Sequence, residues 1–587
     1  MKTHWALGTL LLALLSGTAA GQSAEAAVRA GATLRVGLWT LWHDQAVTVS
    51  QAGESAATMR TCESCSANRL THPATIRAAG STLTVSGGRQ ASAVLLAGPV
   101  TLAAHGETLT LSNPVRTLAR NGELVLAVTL PVESYVERVV ASESGAEDSE
   151  QSLRALAIVV RSFALHEAHG HAEYDLCDST HCQLLHWAGN SERRAAAHAA
   201  ALATAGETLW FHGQRAEAWF HQNCGGRTAS PGEVWPAAAK AGQIAGKAML
   251  WPASRIDPYC TAGGAREWSA SLSRDDLSAA LAAQGLARPG WTTLTVARRG
   301  ESGRAATLLA DSTEISAEDF RLAVGRALGW GKILSTWFEV ARDGDRFVFY
   351  GRGSGHGVGL CQAGAAAMAG QGRDSSQILA QYFPGAYAAD EATGKIWQRL
   401  GGEGFELETL AAGDAAYLPE MNRAMEEAEG RSGLRPGDRI TVRAFRTTPA
   451  FRSATLAPGW VAAFTEGTWI GTQPLATLAA RKLLGPVLRH EFLHALVEAR
   501  AGAKTPLWLR EGLVEAWGGE ETGGPAPALK LEEVDRALSH AASEAQASAA
   551  HRAAGWYAAR LLERFGRAQV VEWLRTGVPG SAVEGLR

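Results

Sequence analysis

No block of lysine and arginine interrupts this sequence, and no basic stretch is interleaved with aromatic residues. Nucleic-acid binding, which needs a basic electrostatic footprint, has no support. The net charge of −3 across 587 residues likewise argues for no strong electrostatic partner. Neither a P-loop nor a dinucleotide-type glycine pattern is present, so a nucleotide site is not expected. Beyond the N-terminus no apolar run is long enough to cross a bilayer, and the mature chain is expected to have no transmembrane span. Tyrosine is scarce, 8 residues against 19 tryptophans. That excess of tryptophan suits stacking on carbohydrate, although most tryptophans serve a core or an interface. Cysteine is sparse too. Seven is an odd count, which leaves at least one thiol outside any internal disulfide.

What is present describes a globular protein, with 46% hydrophobic and 19% charged residues. The length predicts about two to four domains. Lys2 precedes an apolar run from Leu7 to Leu15, followed by small residues from Ser16 to Ala20. This is the pattern of a secretory signal peptide over residues 1–20, too short to act as a membrane anchor. The mature protein is therefore expected outside the cytoplasm, in the periplasm, the cell envelope or the medium.

From Thr33 to Leu130 the apolar residues alternate: Leu34, Val36 and Leu38, then Val47 and Val49, Leu83 and Val85, Val94 and Leu96, Leu109 and Leu111. Period two predicts short half-buried strands. Cys62 and Cys65 sit in a loop there, spaced for a local disulfide or an adventitious metal site. From Val132 to Leu165 the period becomes helical, with a break at Ser144-Gly145. Glu143 lies at that break. A carboxyl at a helix junction walled by apolar side chains can serve as an acid, though such residues are more often solvated or capping. His171, Cys177, His181 and Cys182 follow within a dozen residues. Their spacing leaves two readings open, a zinc site or a Cys177–Cys182 disulfide.

Two glycine-rich stretches come later. Residues 216–235, AEAWFHQNCGGRTASPGEVW, would offer His221, Asn223, Arg227 and Thr228 at the rim of a tight loop. Residues 350–372, YGRGSGHGVGLCQAGAAAMAGQG, place His356 between glycines that let a glycan or a neighbouring loop approach it. Cys224, Cys260 and Cys361 are scattered, and residues 266–345 alternate short helices and strands.

Together these pieces resemble the SpoIID/LytB family of bacterial cell-wall proteins. The resemblance rests on VESYVERVVASES, SLRALAIVVRSFAL, DSTHCQ, WFHQNCGGRTASPGEVW and GRGSGHGVGLCQAGAAAMA, in the family's order between residues 30 and 395. It implies binding to peptidoglycan glycan strands and, in the sporulation member, lytic transglycosylase activity. That reaction splits the bond between N-acetylmuramic acid and N-acetylglucosamine and leaves a 1,6-anhydro end. The family's catalytic acid maps onto Glu143. Arg161, as an orienter of Glu143, and Arg227, His356 and Gln362 become candidate substrate-binding residues. A family zinc site maps onto His171, Cys177, His181 and Cys182, which favours structural zinc over a disulfide. The resemblance also implies an alternative, a non-catalytic amidase enhancer with a cell-wall amidase as partner. The sequence departs from the family at Ser144-Gly145, usually Met-Pro, at Ser354, usually Trp, and at Cys361, usually Ser.

A second chemistry follows the glycine-rich residues 401–404, which read as a linker. In residues 405–587, His490 and His494 stand four apart on a predicted helix from Leu475 to Ala501, with Glu491 between them. That spacing puts both imidazoles on one face to hold zinc, with Glu491 as general base. The following WLREG segment resembles the gluzincin metallopeptidases, and this likeness makes Glu511 the third ligand of a catalytic zinc. Glu515 and Tyr557 are weaker candidates, and Gly512 suggests close helix packing. The expected fold class is α+β: a sheet-rich SpoIID-like domain with inserted helices, then a smaller, mostly helical, zincin-like domain.

Overall fold

The computed structural model describes residues 33–53, 55–166, 171–187, 191–236, 254–262, 266–519, 526–539, 544–584 and 586. The expected signal peptide lies outside them. The chain forms two compact units that divide between Ile396 and Trp397. Its architecture is α+β, sheet-rich in the N-terminal part and helical toward the C-terminus.

Alternation builds the first unit. One sheet of seven strands runs in the order Leu176–Cys177, Thr33–Leu38, Glu123–Pro131, Val115–Arg120, Val94–Ala97, Thr58–Arg60 and Asn68–Arg69. A second, of six strands, runs Glu107–Leu111, Val100–Ala104, Ala46–Gln51, Ala74–Ala79, Thr82–Val85 and Arg89–Ala91. Every alternating apolar residue named above is buried, from Leu34 to Leu111. Cys62 and Cys65 form a disulfide.

The last strand of this region runs into helix α1, Val132–Glu143, and then α2, Glu150–Ala164. Ser144 is extended, which ends α1 where the sequence predicted a break, and the Gly145 N–H bonds the Asp148 carboxylate at 2.8 Å. The apolar stripes Val132, Val136, Val139, Val140 and Leu153, Leu156, Val160 join the same core as the two sheets. Helix α3, Ser191–Ala203, packs on both α1 and α2.

Residues 267–352 contribute strands and two helices around a separate core containing Leu277, Leu308, Phe320 and Phe349. Before this region stands the short α4, Pro258–Ala262, and after it α5, Gln362–Gly370. Strand Phe220–His221 pairs in parallel with Leu360–Cys361, so the two glycine-rich stretches meet.

In the second unit a five-stranded sheet runs Gln398–Gly401, Phe405–Thr409, Ile440–Ala444, Trp469–Thr472 and Ala463–Glu466. The expected linker is a hairpin turn: Gln398–Gly401 pairs antiparallel with Phe405–Thr409, and Gly404 takes φ +79°. Glycines that read as flexible serve a tight turn instead. The helix predicted over Leu475–Ala501 is two, Leu475–Ala480 and α6, Leu484–Glu498, separated at Arg481–Leu483. Helix α7, Leu507–Gly518, lies against α6 and against α8, Glu544–Thr576. Gly512 serves the α8 contact, because a side chain there would collide with the Ala554 carbonyl.

Candidate functional site

Glu143 is the last residue of α1 and follows the fully buried Val139 and Val140 by a few residues. Burial disfavours its charged form and raises its pKa to about 7; the Leu184 N–H, donating to Oε1 at 3.3 Å, opposes this only in part. Near neutral pH the group is therefore divided between acid and carboxylate, as a residue that first gives and then takes a proton must be. Any activity that needs Glu143 as an acid is expected to fall as pH rises through about 7, whereas the ordinary value of 4.5 would place the loss well into the acid range. A pH–rate profile of kcat/KM locates the descending limb, and an enzyme limited at the ordinary value would not use this acid.

The segment that carries Leu184 is pinned at several points. Asp178 accepts the N–H groups of Trp39 and Thr40 at 2.6 and 3.1 Å and the Trp187 indole N–H at 3.2 Å. The His186 N–H bonds the Ser142 hydroxyl at 2.8 Å, one residue before Glu143. The buried Tyr135 hydroxyl donates to Gln183 at 3.0 Å. His171, Cys177, His181 and Cys182 converge in this segment, each offering one ligand atom, all within 4.8 Å of one another. The His171 Nε2 to Cys182 Sγ distance is 3.2 Å, and the two sulfurs approach to 2.7 Å with both cysteines as free thiols. Hydrogen bonding with Cys182 is the largest influence holding the Cys177 thiol well below its ordinary value. Two thiols and two imidazoles are a donor set that suits a closed structural zinc site.

From the other side comes α5. The Gln362 side chain donates to the Glu143 carbonyl at 2.9 Å, so the second glycine-rich stretch reaches the first candidate residue directly. Arg161 does not take the orienting position expected of it. Its guanidinium is fully buried and committed to Glu133, at 2.5 and 3.0 Å, and to the carbonyls of Ala201 and Glu207. A helical period could place Arg161 facing inward but not name the carboxylate it meets. This residue is a structural ion pair in the core.

His356 accepts the Val358 N–H on Nδ1 at 3.1 Å and packs against the rings of Trp235 and His221. Burial, aided by Arg321 and Arg304, lowers its pKa to about 3, so it is neutral at physiological pH. It is a neighbouring loop that the glycines admit: side chains at Gly357 and Gly359 would collide with Arg304 and the Trp219 carbonyl. His221, Asn223 and Thr228 are buried rather than offered at a rim. Arg227 is half-buried, and its backbone bridges to Ile256.

In the second unit His490 and His494 bring their Nε2 atoms to 3.1 Å of each other, and Glu511 reaches His494 at 3.8 Å. Glu491 is buried, its carboxyl raised by burial and bonded by the Thr465 hydroxyl at 2.6 Å from the edge strand. These donors suit zinc, with an acid-base group beside them. The sequence reading missed His551 on α8, which meets Glu511 at 3.5 Å and Glu515 at 3.1 Å. Nothing local marks it, since it arrives from a distant helix. Tyr557 is a core residue whose hydroxyl donates to the Leu529 carbonyl. Also missed was the meeting of Cys224, Asp257, Cys260 and Cys361.

The chain is 26% identical over 273 residues to an uncharacterized protein of Brachyspira hyodysenteriae, covering 46% of this chain and 70% of the relative. It is 26% identical over 271 residues to Stage II sporulation protein D of Bacillus amyloliquefaciens, covering 44% of this chain and 73% of that protein. The Bacillus subtilis protein of the same name is similar at 26% over 278 residues, with shares of 44% and 75%. Residues 265–359, the region with its own core, match a domain of unknown function, DUF8618. No helix among the described residues is long and apolar enough to cross a membrane. Residues 120–211 match the Stage II sporulation protein family, and the chain thus carries a SpoIID-family domain there.

Proposed function

We propose that the protein is an exported peptidoglycan lytic transglycosylase in which Glu143 serves as both acid and base. The observation that carries this reading is the Glu143 carboxyl, with its pKa raised to about 7, held where α1, the Cys/His segment and α5 meet. Glu143 would protonate the glycosidic oxygen between N-acetylmuramic acid and N-acetylglucosamine. The resulting carboxylate would accept the proton of the muramic acid 6-hydroxyl as that oxygen closes on the anomeric carbon. One carboxyl suffices because the nucleophile belongs to the substrate, in contrast to hydrolases with two. Zinc at His171, Cys177, His181 and Cys182 would supply structural cross-linking, and those residues then hold the segment whose Leu184 N–H meets Glu143. Export also fits the Cys62–Cys65 disulfide, a bond typical of oxidising compartments.

Peptide-stripped glycan strands incubated with the purified chain are expected to yield 1,6-anhydromuramic ends, read by mass spectrometry. Intact strands after incubation with folded protein would rule out cleavage and leave the amidase-enhancer reading, to be tested as stimulation of a cell-wall amidase.

For the second unit we propose a zinc metallopeptidase centre, supported by the convergence of His490, His494 and Glu511 around the buried Glu491. His490, His494 and Glu511 would hold the metal, which supplies a Lewis acid. Glu491 would hold and move the proton of the attacking water. Glu491→Ala is expected to reduce hydrolysis of a peptide library by about 100-fold or more, as loss of a general base does. Unchanged hydrolysis in that variant, or none by the wild type, would count against a peptidase.

A further inference from the structure

Cys224, Asp257, Cys260 and Cys361 come from three separate stretches, yet their ligand atoms all lie within 4.8 Å of one another. Cys224 follows the strand Phe220–His221. Cys361 ends the strand paired to it and caps α5. Asp257 and Cys260 sit at the start of α4. Their exposures are 0% for Cys224 and Cys361, 1% for Asp257 and 3% for Cys260. A core position filled by three thiols and a carboxyl is a poor apolar core, and it is not a disulfide: all three cysteines are free. An odd set of three could form only one bond and would leave the third thiol beside a buried carboxyl.

The surroundings suit negative charge. Backbone N–H groups point at the sulfurs: Cys224 to Cys361 at 3.2 Å, Gly226 to Cys224 at 3.3 Å, and Gly364, in the first turn of α5, to Cys361 at 3.5 Å. Such N–H donors orient a sulfur and offset its charge once it holds a metal. Asp257 accepts the N–H groups of Tyr259 and Cys260, both at 3.1 Å, and the buried Tyr382 hydroxyl at 3.0 Å. Arg304 is fully buried. Its Nη2 donates to the Cys224 carbonyl at 2.7 Å, while Nε and Nη1 have no hydrogen-bond partner among the described residues. The guanidinium lies 5.4 Å from the Trp337 ring centroid, and Cys224, Glu233, Glu318 and Cys361 supply attractive charge around it.

We infer that Cys224, Cys260, Cys361 and Asp257 form a closed, structural zinc site. Three thiolates and a carboxylate give four donors, soft enough to select zinc over magnesium or calcium. The site carries a net negative charge, which the N–H donors and Arg304 offset. It staples both glycine-rich stretches to α4. Cys361 directly precedes Gln362, whose amide bonds the Glu143 carbonyl, so the metal also fixes the depth at which α5 meets α1.

Zinc is measured in the full chain purified without chelators. Cys224→Ser and Cys361→Ser are each expected to lose one zinc equivalent relative to the wild type. Cys182→Ser and His490→Ala are expected to retain that equivalent, having lost others. Because a core serine can impair folding, cobalt loading of the wild-type chain provides a second reading. Sulfur-to-cobalt charge-transfer absorption is expected at the strength of five thiolates if the Cys177/Cys182 cluster fills too, and three if it does not. Absorption at two thiolates or fewer would overturn the proposal. So would unchanged zinc in both folded serine variants, or a disulfide joining any two of Cys224, Cys260 and Cys361 in peptide maps of unreduced protein.

Discussion

Glu143→Gln is expected to lower the yield of 1,6-anhydro ends by about two to four orders of magnitude, the usual worth of a positioned acid-base group. The substitution keeps the shape of the side chain and an oxygen able to accept the Leu184 N–H, but not the transferable proton. It also removes a group whose charged form is unfavourable where it lies. Folding stability near neutral pH is therefore expected to hold or rise slightly. Product analysis by mass spectrometry and a thermal melt on the same preparation separate the two effects. A variant that melts normally and still produces anhydro ends at the wild-type rate would remove Glu143 from the chemistry.

Arg161→Ala is expected to destabilise the first unit by about 3–5 kcal/mol, the cost of leaving one member of a buried ion pair unpaired. Glu133 would remain buried with the Gly206 N–H at 3.1 Å as its remaining described donor. Nearby, burial and the Glu133 charge already raise the pKa of Glu391 to about 7, so losing the cation adds repulsion. The carbonyls of Ala201 and Glu207 lose the Arg161 hydrogen bonds at the same time. Chemical denaturation, followed through the transition of residues 32–396, measures the loss. Replacing both members, Arg161→Met with Glu133→Leu, is expected to recover most of it. If Arg161→Ala instead leaves the transition unchanged and abolishes cleavage, the orienting role returns.

The sequence made some of this visible and hid the rest for physical reasons. Strands from Leu34 to Leu111 could be read because each buries one face, which stamps period two on the chain. The His171 to Cys182 cluster could be read because its four residues lie within one short segment. Cys224, Cys260 and Cys361 could not. Their meeting depends on strand pairing across the region of residues 265–359, and no local spacing records that. Cys361 was visible only as a departure from the family. Arg161 shows the complementary failure: it stood as a candidate orienter of Glu143, while its partner Glu133 comes from another helix and no local spacing names it. Residues 401–404 show a third, because glycine marks a hairpin turn and a linker alike.

The separate core of residues 267–352 also bears on the order in which the first unit assembles. Cys224 and Cys361 are 137 residues apart, and closing so long a loop from a disordered chain carries a substantial entropy cost. A stretch that collapses on its own core and returns its ends close together, as the pairing of Glu267 with Arg352 does, shortens the effective loop to the residues outside that core. The joining of Phe220–His221 to Leu360–Cys361 is then expected to follow the collapse of the intervening body. The Gln362 contact to Glu143 lies immediately beyond that joint and is expected to form with it or after it.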